Sequence, residues 1–314
     1  MKFLLRQLIM CSVLVLAALE GGGVAVAATF PLPVADNNIV GRLQTAQVES
    51  GDTFATIGRR YDVGYYELVE SNPEINPDAP VPGTVLVIPT RHILPKVPYE
   101  GIVINLAEMR LYYFSKDSNE VVTVPVGIGR RDWDTPLGVL TIVEKRTKPT
   151  WYVPDSIREA RALEGVDLPH FVAPGPENPL GDYALRLSKR TYLIHGTNDP
   201  SGVGQRSSSG CIRLYPEDIE HIFNLVSPGT PVRIINQPYK LGWRKNKLYI
   251  EAHQPLPEHA SPDDLNIALN AIREMAQLHP IHVDWKKVTE LAQERSGIPE
   301  IVGVSLTDAE PLSF

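Results

Sequence analysis

The chain has 314 residues, 43% of them hydrophobic and 21% charged, with a formal net charge of −7. That length allows two domains, or one with extensions, and the composition is ordinary for a globular protein. The acidic balance, with no cluster of Lys and Arg along the chain, speaks against nucleic acid as the main partner, because phosphate backbones are met by clustered cations.

The chain opens on a basic start, Lys2 and Arg6, followed by LIMCSVLVLAAL and the small-residue run GGGVAVAA. This is the layout of an export leader over residues 1–27, with Ala25-Val26-Ala27 as the cleavage motif. The apolar run is shorter than the roughly 20 residues that a spanning helix needs. An uncleaved anchor is the alternative. Cys11 lies inside the apolar run, preceded by Ile9 and Met10 rather than small residues, and reads as leader filler. Cys211 is then the sole thiol of the mature chain. It has no partner for an internal disulfide. In an oxidising compartment such a thiol is either a small buried hydrophobe or a working group.

Residues 29–45 read as a polar lead-in. Between Val48 and Pro89 the order is strand, helix, helix, strand. Asp52 or Thr53 caps a helix with Phe54, Ile57 and Tyr61 on one face. A second short helix turns Tyr65, Leu68 and Val69 inward, and Asn72-Pro73 stops it. Pro82-Gly83 makes a turn into the short buried strand Val85 to Ile88. Pro95 to Pro98 is a linker. A β-rich segment begins at Gly101 with Ile102, Ile104 and Leu106 alternating, continues through MRLYYF and VVTVPVGIG, and adds a strand pair in TPLGVLTIVEKRT. Leu168 to Gly181 is too rich in proline for a helix or a central strand, and reads as a rigid loop of the kind that covers sites. ALRL and TYLIHG are strands. Pro216, Glu217 and Asp218 open a helix with Ile219, Ile222, Phe223 and Val226 on one face, ended by Gly229. TPVRII closes the segment. From about Gln237 onward one strand-like piece, KLYIEA, precedes two helices. The first starts at SPDD with Leu265, Leu269, Ile272 and Ala276 inward, and the second centres on Trp285 to Arg295.

The stretch IHGTNDPSGVGQRSSSGCIRL carries the chemistry. His195 closes one strand, and Cys211, sixteen residues on, starts another. A cysteine becomes a nucleophile when a base can take its proton. If the two strands are neighbours, a hairpin-like return brings thiol and imidazole together. Ser207-Ser208-Ser209-Gly210 leaves room for a substrate and offers backbone N–H groups to an oxyanion, a contribution of roughly 3–4 kcal/mol per donor in hydrolases. His253, His259, His279 and His282 share no metal-ligand spacing, so neither metal nor cofactor is implied. His170 reads as a surface loop residue and His221 as a helix-surface one. Trp151 and Tyr152 either line the cleft or pack.

Two resemblances sharpen this. Gly51-Asp52-Thr53, Ile57, Tyr61, Val63, Leu68, Asn72-Pro73, Pro82-Gly83 and Ile88-Pro89 resemble a LysM module, residues 46–90. That implies binding to N-acetylglucosamine-containing glycan such as peptidoglycan. HGTN followed by SSGCIR resembles the signature of the L,D-transpeptidases with a YkuD-like domain, here residues 98–236. Asn105-Leu106, Arg110-Leu111, Pro125-Val126-Gly127, Thr135-Pro136-x-Gly138, Pro174-Gly175-Pro176 and Asn178-Pro179-Leu180-Gly181 match as well. The likeness is to the Gram-negative periplasmic branch.

The resemblance implies a mainly β catalytic domain, a YkuD-like β-sandwich with short helices. It stands beside the small α+β module and an extension, residues 237–314, with two helices. It also implies roles: Cys211 as nucleophile, His195 as general base, the Gly196 carbonyl orienting the ring, and Gly210 and Cys211 N–H groups as oxyanion hole. Arg213 either fixes the Cys loop, holds a substrate carboxylate or makes a structural salt bridge. Ser209, Thr197 and Asn198 would touch substrate. Many members carry a second His where Ser209 stands, so that His is not needed here. The implied reaction is acyl transfer from tetrapeptide stems to another stem or to an outer-membrane lipoprotein lysine, with carbapenems as acylating inhibitors. An L,D-carboxypeptidase or endopeptidase on the same substrates, or a non-catalytic wall-binding protein, are the alternatives.

Overall fold

The computed structural model describes residues 27–34, 37–261, 263–278 and 280–306. The expected leader up to Val26, with Cys11, lies outside the described residues, as does His279. Among the described residues no helix is long and apolar enough to cross a membrane.

The segment expected as a lead-in is built into the fold. β1 (Ala28–Pro31) pairs antiparallel with Glu120–Pro125 at the edge of the main sheet, and β2 (Ile39–Gly41) pairs with Arg91–Ile93. The module follows as β3 (Gln44–Gln47), α1 (Phe54–Tyr61), α2 (Tyr65–Ser71) and β4 (Val85–Ile88), with β3 and β4 antiparallel. Thr53 caps α1 reciprocally. Its hydroxyl accepts the Thr56 N–H at 3.2 Å, and the Thr56 hydroxyl accepts the Thr53 N–H at 2.9 Å. Phe54, Ile57, Val63, Leu68, Leu86 and Ile88 form the module's core. Asn72 does more than stop α2: its side chain donates to Leu68 O and Val87 O and accepts from Val87 N–H, tying the helix end to β4. β4 alternates, with Val85 exposed, rather than being buried throughout.

β5 (Arg91–Ile93) leads to β6 (Gly101–Asn105), β7 (Arg110–Phe114), β8 (Glu120–Pro125) and β9 (Ile128–Gly129). The expected strand pair in TPLGVLTIVEKRT is one long strand, β10 (Gly138–Thr147). Its first half pairs with Pro231–Ile235. After an irregularity between Ile142 and Glu144, its second half pairs with Tyr183–Leu187. A single strand thus turns from one half of the sheet into the other, as at the corner of a sandwich. β11 (Trp151–Tyr152) pairs with β12 (Phe171–Val172), and between them lies α3 (Asp155–Leu163). α3 buries no residue, so it has no apolar stripe for a sequence reading to find.

Then come β13 (Tyr183–Leu187), β14 (Leu193–His195), β15 (Arg206–Ser208), β16 (Ile212–Arg213), α4 (Pro216–Leu225) and β17 (Pro231–Ile235). α4 ends at Val226, and Gly229 belongs to the following turn. The sheet order is β1-β8-β7-β6-β17-β10-β13-β14-β16. β17, last in sequence, lies in the middle, parallel to β6. Ile102, Ile104, Leu111 and Val124 from one half share a core with Leu185, Leu187, Ile194 and Ile212 from the other, closed by Ile219 and Ile222 of α4.

The C-terminal region carries the two expected helices, but on a four-stranded sheet of which only KLYIEA is visible in the sequence. Its elements are β18 (Tyr239–Arg244), β19 (Lys247–Ala252), α5 (Asp264–Leu278), β20 (Ile281–Val283), α6 (Trp285–Glu294) and β21 (Glu300–Ser305), ordered β18-β19-β21-β20. Leu248, Ile250, Ile272, Val288, Leu291 and Val302 form its core.

Module and catalytic domain meet over a buried ion pair. Arg110 of β7 is 1% exposed. It donates to Glu67 of α2 twice, at 2.9 and 2.8 Å, to Asp62 O at 3.2 Å and to Thr123 Oγ1 at 3.3 Å. Beside it Gly204 approaches the start of α2 so closely that a Cβ would lie 2.3 Å from Gly64 Cα, and its φ of +73° favours glycine. Removing one partner of a buried pair strands the other charge. Arg110→Met is therefore expected to lower the unfolding free energy by about 3–5 kcal/mol in urea titration, with most of the loss recovered in Arg110→Met/Glu67→Leu.

Candidate active site

β14 ends on His195, and β16 begins one residue after Cys211. The two strands are neighbours, but parallel ones, with Ile194 opposite Ile212 and His195 opposite Arg213. A parallel neighbour cannot be reached by a tight turn, so the hairpin-like return is corrected. The chain leaves through a 3-10 turn at Pro200–Gly202 and comes back along β15, which pairs with β9. His195, Ser209, Cys211 and Arg213 all line one cavity of about 960 Å³.

His195 is 3% exposed, and its Nδ1 lies 2.6 Å from Gly196 O. A carbonyl only accepts, so Nδ1 carries the proton and Nε2 keeps its lone pair. Burial, joined by the Arg213 charge, pulls the imidazole down to about 3, against the opposing pull of the Gly196 carbonyl. Burial pushes the Cys211 thiol up, against the Leu193 backbone and Arg213. The resting pair is a neutral imidazole and a neutral thiol, the state from which a base can take a proton. Cys211 Sγ lies 3.8 Å from Thr191 O.

The loop that carries Cys211 is fastened by two hydroxyls whose role the sequence did not reveal. Ser208 Oγ donates to Cys211 O at 2.5 Å and accepts the Gly210 N–H at 3.1 Å. Thr135 Oγ1 donates to Gly210 O at 3.0 Å and accepts the Gly129 N–H at 3.0 Å. Gly210 has φ +98°, and a Cβ there would meet the Tyr192 ring at 2.9 Å. Its N–H, expected as an oxyanion donor, is engaged by Ser208 in this state and must be released or shared to meet an oxyanion. Arg213 places Nη1 3.5 Å from Ser207 Oγ, while its Nε has no hydrogen-bond partner among the described residues.

Thr197 and Asn198 do not reach this cavity. They line a separate hollow of about 680 Å³ with Glu217 and Glu220. The Thr197 hydroxyl is consumed by the turn to Asp199, and the Asn198 amide donates to Pro176 O in the Pro-rich loop. His170 is exposed and lines neither hollow. Trp151 and Tyr152 do line the main cavity, as do Ile157 and Arg161 of α3. Besides Arg213 its walls carry Arg130, Arg146, Arg161, Arg186 and Arg190, against a single acid, Glu144. Because these arginines are scattered over separate elements, no basic run announces them in the sequence.

A family model of the YkuD L,D-transpeptidase catalytic domain matches residues 99–234, and one of the LysM domain matches residues 46–89. "Probable L,D-transpeptidase YcfS" of Escherichia coli is 41% identical over 287 residues, covering 88% of each chain. The chain belongs to the L,D-transpeptidase family. "Probable L,D-transpeptidase ErfK/SrfK" of E. coli is 38% identical over 301 residues, covering 94% of this chain and 96% of that one. An NMR structure of the catalytic domain from the E. faecium L,D-transpeptidase aligns with 45% of this chain and all of that one, at 22% identity and a TM-score of 0.34. Together the two domain matches cover the module and the sheet that this L,D-transpeptidase builds around Cys211.

A neutral buried His195 also affects folding. The unfolded imidazole titrates near its ordinary value of 6.5 and the folded one at about 3, so between these pH values the unfolded chain binds more protons. His195 should stabilise the fold fully above about pH 6.5 and lose that contribution as pH falls toward 3, with a slope of up to about 1.4 kcal/mol per pH unit. Urea titrations from pH 7 to pH 4 should show a shallower decline in His195→Gln than in the wild type.

Proposed function

We propose that the protein is an exported L,D-transpeptidase that acts on peptidoglycan stem peptides through a thioester on Cys211. The observation that carries this reading is His195 anchored through Nδ1 on Gly196 O at the end of β14, on the cavity that also receives Cys211 from the neighbouring strand. His195 Nε2 takes the thiol proton as sulfur attacks the carbonyl of the third stem residue. Backbone N–H groups of Cys211 and, once Ser208 lets go, Gly210 meet the oxyanion. The C–N bond to D-Ala breaks, the amine leaves with the proton from His195, and a thioester remains. An acceptor amine then attacks, His195 takes its proton, and the thiolate leaves as the new amide forms.

The arginine-lined walls support a donor rich in carboxylates, as stem peptides are, and the resemblance points to peptidoglycan. Arg213, with an unpaired Nε, is suited to hold one carboxylate. The acceptor is the side-chain amine of a second stem, giving a 3→3 cross-link, or a lysine of an outer-membrane lipoprotein. The LysM domain supplies glycan affinity and delivers the catalytic domain to the wall. The leader over residues 1–27 places the protein in the periplasm, and carbapenems would acylate the same sulfur.

Intact-protein mass spectrometry with a disaccharide-tetrapeptide tests this. The wild type should gain a thioester adduct and release cross-linked dimers. Cys211→Ala should gain none, and His195→Gln should acylate about 10²–10⁴-fold more slowly. Release of tripeptide alone would point to hydrolysis, or to a protein acceptor absent from the mixture. Absence of any adduct, even with a carbapenem, would leave a wall-binding protein.

A further inference from the structure

At the junction of the LysM and catalytic domains buried carboxyl groups outnumber the cations. Asp62 caps α1 at its C-terminus, and Asp218 sits in the first turn of α4. Asp62 is 5% exposed and Asp218 is fully buried, and their carboxyls face each other. Glu67, Glu217, Tyr215 and the guanidinium of Arg110 surround them. The cations nearby are already matched: Arg110 is held by both oxygens of Glu67, and Arg59 by both oxygens of Glu217, at 2.9 and 3.0 Å. Asp62 Oδ1 and both oxygens of Asp218 receive no hydrogen bond from any N–H or O–H among the described residues. Burial and each other's proximity push both carboxyls up, Asp62 to about 7 and Asp218 well above the usual carboxylate range, so the pair keeps a proton unless a positive partner joins it.

One atom is placed to become that partner. The backbone nitrogen of Ala28 donates to Asp62 Oδ2 at 3.2 Å. It is the first residue after Ala25-Val26-Ala27, the cleavage motif of the leader. Hydrolysis of the Ala27–Ala28 bond adds water across the amide. Ala27 becomes the carboxyl end of the leader, and Ala28 acquires a free amine that is protonated at neutral pH.

We propose that removal of the leader completes the fold: the new α-ammonium of Ala28 docks on the Asp62–Asp218 pair and locks the LysM domain to the catalytic domain. The inference rests on the reading of residues 1–27 as a leader cut after Ala27, and not on the catalytic reading. It also orders events. Ala27 is buried in the main core, and Ala28 to Pro31 are paired with β8, so a peptidase must cut before β1 docks. The docked amine bears on the active site through α4, which follows β16 and the nucleophile loop after two residues.

The test has two parts. The N-terminus of the exported protein is read by mass spectrometry, and the melting temperatures of three chains are compared. One chain begins at Ala28 with a free amine, one carries Gly-Ser ahead of it, and one has the Ala28 amine acetylated. The expected N-terminus is Ala28, and the free-amine chain should melt at least about 3 °C above both others. In Asp62→Asn/Asp218→Asn the three should melt together. Should that double variant fail to fold, the acetylated chain still decides. An exported N-terminus at any other residue would overturn the processing step and leave the catalytic reading untouched. Equal melting of the three chains in the wild-type background would overturn the docking.

Discussion

The rest of the structure depends on a guanidinium that has no access to water. Arg110 sits in the main sheet and reaches out of it to Glu67, on the second helix of the LysM domain. Neither side chain could be buried alone, since an unpaired charge in a low-dielectric interior costs several kcal/mol. The pair forms only when the two domains stand in one relative position, so it acts as an orientation device as much as a source of stability. A second buried network does the same on the other side. Lys240 of the C-terminal sheet donates to Glu108 at 2.5 Å and to Ile93 O at 2.7 Å, and pairs with Glu251 at 2.8 Å. His253 links Glu251 to Glu70 of the LysM domain, and these two acids raise it to about 10 against the opposing effect of burial. His92, Glu108 and Glu251 bring potential ligand atoms within 4.8 Å of one another, but the Lys240 ammonium already supplies the cation to both acids.

These fixed positions matter for the site because its walls come from distant parts of the chain. The Cys211 loop hangs between β15, which pairs with β9, and β16, and is held to Thr135 by that residue's hydroxyl. Arg206 of β15 donates through both terminal nitrogens to Glu258 of the C-terminal region, so that region braces the strand that delivers the loop. The 3-10 turn at Pro200–Gly202 packs against α1, and just after it the backbone N–H groups of Tyr65 and Tyr66, at the start of α2, donate to Val203 O and Gly204 O. The LysM domain and the return path to Cys211 are thereby one packed unit. A disturbance at their junction would be felt in the loop without touching a reactive atom.

What the sequence could reveal follows from the range of each interaction. The module was legible because its signals are local: a Thr53 cap, an Asn72 stop, and apolar residues at helical spacing. His195 and Cys211 were legible because their surroundings are spelled out in one stretch. The parallel pairing of β14 with β16 was not, because a two-residue strand carries no periodicity and its partner is chosen by the sheet. β17 reads as a closing strand and lies in the centre for the same reason. α3 was missed because it buries nothing, and three strands of the C-terminal sheet because each is short or flanks a turn. The fasteners Thr135 and Ser208 could not be told from ordinary hydroxyls until their partners 75 and 3 residues away were in place. Thr197 and Asn198 stand beside His195 in the HGTN stretch that carries the resemblance. The chain turns at Gly196, where a Cβ would meet Ile219 at 3.0 Å, and it carries them to the other hollow.

The electrostatics of the pair explain how a lone thiol can be both kept and used. Oxidation and disulfide exchange proceed through the thiolate. Burial raises the Cys211 thiol and lowers His195, so the resting site holds little thiolate and no imidazolium. For the exported protein proposed above, an ion pair of the kind that keeps many cysteine nucleophiles permanently activated would be a liability in an oxidising compartment. Here the proton moves only when something makes the imidazolium and the negative sulfur or oxyanion worth forming. On the proposed reading, a carboxylate-bearing peptide seated among the wall arginines would do that. Its charge offsets the repulsion that Arg213 exerts on a protonated His195, and its carbonyl presents the developing oxyanion to the loop amides. On the proposed reading, reactivity is then conditional on substrate.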